Sequence, residues 1–130
     1  MHVSGTFDVK LAPQAADNPH AQAAGITRLG LEKQFHGGLQ GHSHGEMLAC
    51  GDAATSGGYV ALEKFTGSLQ GRSGSFSLIH SAVMNRGVPQ NWSVAVVPDS
   101  GTGDLTGLKG TVRIRIEAGT HFYDFEYTLP

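Results

Sequence analysis

At 130 residues, with one cysteine, 15% charged residues and a net charge of −2, the chain is the size of a single domain that can bury a core without staples. That balance excludes the basic footprint of a nucleic-acid or anionic-membrane binder, and no apolar run reaches the roughly 18 residues of a membrane helix. Cys50 alone excludes an internal disulfide; with an N-terminus that lacks the basic-then-apolar layout of a secretory signal, it points to a cytoplasmic location.

The 19 glycines follow no three-residue period and stand among Val, Ile, Phe and Thr, which predicts an all-β domain with many turns. Met1 to Leu11 alternates, with Val3, Phe7, Val9 and Leu11 on one face and Ser4, Thr6, Asp8 and Lys10 on the other. Ala12 to Gly25 is rich in Ala, Asn and Gln; Pro13 and Pro19 make it a surface loop rather than a short helical turn. Ile26 to His36 is the second strand, with Leu29, Leu31 and Phe35 in phase, and Gly41 to Cys50 the third. After a polar connection from Gly51 to Gly58, Tyr59 to Thr66 and Arg72 to Met84 form strands four and five. On strand five Ser73, Ser75, Ser77 and Ser81 share one face, read as solvent or a neighbouring protomer. Phe76, Leu78, Ala82 and Met84 share the other with Arg72, Gly74 and His80. Trp92 to Val97 is strand six, Pro98 to Gly103 an irregular loop, and Val112, Ile114 and Ile116 mark strand seven. Ala118-Gly119 then turns the chain into His121 to Leu129 as strand eight.

One phrase occurs twice, as Phe35-His36-Gly37-Gly38-Leu39-Gln40-Gly41-His42-Ser43 and as Phe65-Thr66-Gly67-Ser68-Leu69-Gln70-Gly71-Arg72-Ser73. A looser third copy is Leu105-Thr106-Gly107-Leu108-Lys109-Gly110-Thr111. Glycines bracketing a short reversal punctuate β-hairpins, so three copies imply a meander that closes. Eight strands joined by hairpins predict a single closed eight-stranded antiparallel barrel over residues 1–130.

Several stretches together resemble a bacterial family known as domain of unknown function 3224. They are Gly45-Glu46-Met47, Gly58 to Glu63, Thr66 to Phe76, Val97 to Gly103, and the ending His121 to Leu129. More distantly, Gly101-Thr102-Gly103-Asp104-Leu105-Thr106-Gly107 is similar to the Gly-Thr-Gly stretch of allene oxide cyclases and dirigent proteins. That likeness implies an eight-stranded barrel with an apolar substrate inside, in proteins that often trimerise, and carries no mechanism. Homo-oligomerisation through the serine-rich strands is expected here.

Alternation applied across the repeat sets Ser43 outward with Ser73, which turns His42, His44, Glu46, Leu48 and Cys50 inward. The resulting candidate catalytic group is Glu46, Glu63, Arg72 and His80, with Tyr59, Phe76, Trp92 and Asp99 as candidate ligand-binding residues. A carboxylate beside Arg stays ionised and orients a ligand, and a half-buried His beside a carboxylate shuttles protons near neutral pH. Such a group suits an isomerase- or cyclase-like activity on an apolar or carbonyl-bearing small molecule, with no cofactor. The same residues equally describe structural pairs, Glu63 with Arg72 and Glu46 with His80, in a barrel filled by side chains. A third reading takes His42, His44 and Glu46 as a cupin-like metal cluster, although Gly87 to Asn91 lacks the further His that cupins use. Pro98 to Gly103 is no P-loop, since neither Gly-Lys-Ser nor a helix follows.

Overall fold

The computed structural model describes residues 1–52 and 55–130. The strands are β1 (His2–Gln14), β2 (Thr27–Gly37), β3 (Leu39–Gly51), β4 (Gly57–Leu69), β5 (Arg72–Asn85), β6 (Val88–Val96), β7 (Lys109–Glu117) and β8 (Thr120–Thr128). They form a closed barrel in chain order, antiparallel throughout, with β1 sealing against β8. Among the described residues no helix is long and apolar enough to cross a membrane.

The segment between β1 and β2 is more ordered than its prolines suggest. β1 continues through Pro13 to Gln14, and Pro19–Ala24 forms a short helix, α1. Pro19 sits at its start, where no amide hydrogen bond is lost, and Asn18 Oδ1 accepts from the Ala21 amide at 2.8 Å. Gly25 closes it in the left-handed region at φ 66°.

The repeated phrase does not repeat in space. In its second copy the chain reverses at Gln70-Gly71, both at positive φ, so Leu69 stands opposite Arg72. In the first copy it reverses about Gly38, with Phe35 opposite Gly41. Gly38 replaces Ser68 of the second copy, and a Cβ there would stand 2.3 Å from Val3 Cβ. The first turn therefore forms two residues earlier, against β1. The consequence is a reversal of faces: on β5 the inward residues are Phe76, Leu78, His80 and Ala82, whereas on β3 they include Leu39, Ser43 and Met47. His42, His44, Glu46, Leu48 and Cys50 point outward and are exposed, contrary to the alternation carried across from Ser73.

The third copy is not a hairpin. After β6 the chain crosses from Val97 to Leu108 through a 3-10 turn at Gly103–Leu105 and buries Leu105 and Leu108 completely. This loop takes over the edge of β5 beyond the end of β6: the Thr102 amide donates to Ser75 O at 2.8 Å and the Ser77 amide to Ser100 Oγ at 3.0 Å. Ser75 Oγ lies 2.6 Å from Thr102 Oγ1 and is buried, so half of the serine face is covered by the chain's own loop.

Inside, the barrel has two unlike halves. The half plugged by Leu105 and Leu108 is a packed aromatic core, with Phe35, Phe65, Phe76 and Phe125 from four strands in contact at centroid distances of 5.0–5.9 Å. Tyr123, fully buried, donates to His36 O at 2.8 Å and accepts from the Leu39 amide at 2.9 Å, which satisfies its hydroxyl. The other half, toward the β1–β2, β3–β4, β5–β6 and β7–β8 connections, is polar on one wall and incompletely filled. On the outer surface Leu48 faces Val60 across β3–β4 and Leu62 faces Ile79 across β4–β5, all exposed.

Candidate functional site

The polar wall arises from charged residues at inward positions of three strands. Lys33 follows Leu31 and precedes Phe35 on the inner face of β2, and Glu63 lies between Ala61 and Phe65 on β4. β2 and β4 are not neighbours; β3 runs between them. Lys33 stands opposite Ser43, and Glu63 opposite Gly45. These small residues leave room for the two long side chains to meet over β3. Lys33 Nζ donates to Glu63 Oε1 at 3.2 Å and lies 3.1 Å from Oε2. Its ammonium also sits 4.7 Å from the centre of the Phe7 ring, a cation–π contact.

His80 on β5 faces Ala61, and the short alanine allows its ring to reach both neighbours of that residue on β4. Nε2 lies 3.7 Å from Glu63 Oε2, and Nδ1 lies 3.2 Å from the Tyr59 hydroxyl. A lone pair on Nε2 would oppose the carboxylate, so the proton belongs on Nε2 and Nδ1 accepts from Tyr59. Trp92 Nε1 on β6 donates to the same hydroxyl at 3.1 Å. The result is a continuous chain, Lys33–Glu63–His80–Tyr59–Trp92, whose first three members are at least 95% buried.

Burial by itself would raise the Glu63 carboxyl, but the facing His80 and the Lys33 charge outweigh it and hold the group below its ordinary value. Glu63 is thus a buried anion. Burial pushes the Tyr59 phenol above its ordinary value, against the Trp92 N–H that pulls it back, so it keeps its proton at neutral pH. Among the described residues, His80 Nε2, Glu63 Oε2 and Ser43 Oγ are buried without a hydrogen-bond partner.

This chain borders a cavity of about 150 Å3. Val9, Leu31, Met47 and Ile114 supply apolar walls, while Lys33, Tyr59, His80, Trp92 and His121 give it a polar side. Trp92 and His121 are only half-buried, so the cavity reaches the barrel's rim. A larger hollow of about 450 Å3 lies against Leu48, Val60 and Val83, but no charged side chain or histidine lines it. Of these two, only the smaller is lined by charged side chains and histidines.

Of the eight residues singled out in the sequence, Glu63, His80, Tyr59 and Trp92 converge here. Glu46 does not: it faces outward and accepts from Arg28 Nε at 2.8 Å. Arg72 is exposed beside the Gln70-Gly71 turn, because β5 begins at the opposite end of the barrel from His80. Phe76 belongs to the packed aromatic core, and Asp99 lies exposed at φ 61° in the β6–β7 loop, again at that far end. The pairs Glu63–Arg72 and Glu46–His80 therefore do not form; the partner of Glu63 is Lys33. Lys33 was readable as a charge in phase with Leu31 and Phe35, the position a core residue should hold. His42 and His44 stack edge to face at 5.4 Å on the outer surface, and among the described residues no group of three or more His, Cys, Asp or Glu is placed to hold a metal.

The family described as "Protein of unknown function (DUF3224)" matches residues 3–127. A crystal structure of a protein of unknown function from that family in Shewanella oneidensis MR-1 is 44% identical, with a TM-score of 0.89 over 100% of this chain and 97% of the other. No curated protein matches.

Proposed function

The chain belongs to the DUF3224 family, and we propose that its barrel binds a small, mainly apolar molecule bearing a carbonyl or hydroxyl group and acts on it by acid–base chemistry of an isomerase- or cyclase-like kind. What supports this reading is one observation: a chain of five hydrogen-bonding and ionic side chains, three of them buried, borders a cavity with largely apolar walls. Burying Lys33 and Glu63 costs several kcal/mol per ion before pairing, and packed hydrophobic residues hold such positions at least as well. Stability alone therefore does not account for the chain, whereas a ligand that needs oriented polar groups in a water-poor site does.

The cavity limits the ligand. A volume near 150 Å3 accepts a molecule about the size of benzene, below the ~300 Å3 usual for ligand pockets. The occupant is a compact ring or short branched chain, or the head of a longer molecule that leaves over the rim. A second reading, a barrel that is purely structural, draws support from the packed aromatic half and from the mutual neutralisation of Lys33 and Glu63.

Trp92 is the chain's single tryptophan and one wall of the cavity, which makes its indole N–H a specific reporter. A set of ring compounds of up to ten non-hydrogen atoms, with and without a carbonyl, should shift its NMR resonance saturably, the carbonyl compounds at lower concentration. No saturable shift from any member favours the structural barrel.

A further inference from the structure

We infer that Tyr59, not His80, is the group that exchanges a proton with the bound molecule, and that this molecule is a carbon acid: a small ketone or aldehyde with a removable C–H beside its carbonyl. The inference rests on the cavity being a ligand site.

Both nitrogens of His80 are turned toward protein groups. Nδ1 takes the Tyr59 hydroxyl proton, Nε2 points at the Glu63 carboxylate 3.7 Å away, and the residue is 3% exposed. The better-exposed polar atom beside the cavity is therefore the Tyr59 hydroxyl, not an imidazole nitrogen. Tyr59 is half-buried and borders the cavity. Its oxygen gives its proton to His80, accepts from Trp92, and retains acceptor capacity on the remaining lone pair. What the chain can offer the ligand is therefore a phenol oxygen whose own proton has somewhere to go.

The step balances. The substrate C–H breaks and its proton joins the Tyr59 oxygen, while the former phenol proton passes to His80 Nδ1. The electron pair stays on the substrate as an enolate. The imidazolium that forms lies 3.7 Å from the Glu63 carboxylate, which is its counter-charge. Lys33 lines the same cavity and supplies a cation for the enolate oxygen. Running the transfer backwards, to the same carbon or to one conjugated with it, exchanges or moves the hydrogen with no redox partner.

The apolar walls and the cation decide the substrate class. A carboxylic acid would arrive ionised and lose its hydration among Val9, Leu31, Met47 and Ile114. A neutral ketone enters without that penalty and becomes anionic only where Lys33 can meet it. Tyr59 is then the catalytic residue, with His80 and Glu63 acting through it.

The test uses cyclohexanone as probe. Binding is read in H2O from the Trp92 indole resonance, and catalysis in D2O from the rate at which the α-protons disappear by 1H NMR, against protein-free buffer. The expected result is a saturable shift, exchange faster than buffer, and a fall of about 100-fold or more in Tyr59→Phe with the shift retained. His80→Gln should behave like Tyr59→Phe, since an amide oxygen can accept the Tyr59 hydroxyl but cannot hold its proton. Binding without exchange, or exchange unchanged in either variant, overturns the inference and leaves the binding reading in place. If cyclohexanone leaves Trp92 unshifted, the inference falls, and the binding reading falls with it when no other ring compound shifts the resonance.

Discussion

Lys33 Nζ lies 3.1 Å from Glu63 Oε2, although their strands are separated by β3. Adjacent strands are about 4.8 Å apart, so the pair spans two strand spacings and needs both side chains extended over a nearly bare stretch of β3. Ser43 and Gly45 provide that stretch. Removing one partner strands the other as an uncompensated buried charge. Lys33→Met should cost about 3–5 kcal/mol, whereas Lys33→Met with Glu63→Leu should recover most of the loss. Urea denaturation of the single and double variants measures this, and a single variant within about 1 kcal/mol of wild type would mean that water reaches the pair.

Gly45 is the stricter of the two spacers. A Cβ there would stand 2.0 Å from Leu62 O and 2.7–2.8 Å from Glu63 Cα and Cβ. Two of those atoms are backbone, so β4 must move. Gly45→Ala is expected to destabilise by about 1–3 kcal/mol as overpacked sites do, and to weaken cyclohexanone binding as Glu63 shifts. Ser43→Ala, by contrast, removes a buried hydroxyl that has no hydrogen-bond partner and should be nearly neutral in thermal melts. Equal losses from both would place the constraint elsewhere than in the crowding at Gly45.

The two copies of the hairpin phrase should answer substitution differently. Gly71 sits at φ +82° with open space around its Cβ position, so Gly71→Ala costs backbone strain alone, about 1 kcal/mol. At Gly38 the cost comes from contact, because a Cβ would stand 2.3 Å from Val3 Cβ, a core residue. Gly38→Ala should therefore be the more damaging, and in a double-mutant cycle with Val3→Gly, which removes the opposing Cβ, its cost should shrink. Chemical denaturation of Gly38→Ala, Gly71→Ala, Val3→Gly and Gly38→Ala/Val3→Gly decides the matter. A Gly38→Ala no worse than Gly71→Ala would leave the early turn without its steric cause.

That turn also explains what could be read from the sequence and what could not. On β4 and β5 period two is unbroken from Tyr59 to Phe65 and from Phe76 to Ala82, so alternation put His80 inward with Phe76 and Leu78 and set Tyr59 and Glu63 on one face, while Val60 and Leu62 made the other face of β4 look equally buriable. On β3 the same reasoning was carried across from the second copy of the repeat, and it failed because one reversal centres on a residue and the other between two. A shift of that kind exchanges the faces of a whole strand, and with them Glu46 for Ser43. Arg72 failed differently: it shares a face with His80 but stands eight residues away, at the other end of the barrel. Lys33 was hidden by expectation rather than by geometry, since a lysine in a strand ordinarily faces water.

Acid should unmake the site through Glu63. Its carboxyl is held below the ordinary value of 4.5 in the folded chain by His80 and Lys33, despite burial, and returns to that value on unfolding. A depressed folded-state value means that the unfolded state takes up the proton first. The stabilisation is then complete above the unfolded value and is lost as pH falls below it, through the lower folded value. Glu63→Gln cannot titrate and lacks this component. Stability measured by urea midpoint across the acid range should thus fall more steeply for wild type than for Glu63→Gln, with the two curves converging as pH drops, while above about pH 6 their separation stays constant with respect to this group. The comparison cancels the exposed carboxylates, such as Asp8 and Glu46, which both proteins share. Parallel curves throughout the acid range would show that Glu63 keeps the same proton affinity folded and unfolded, so that His80 and Lys33 do no more than offset the cost of burying it.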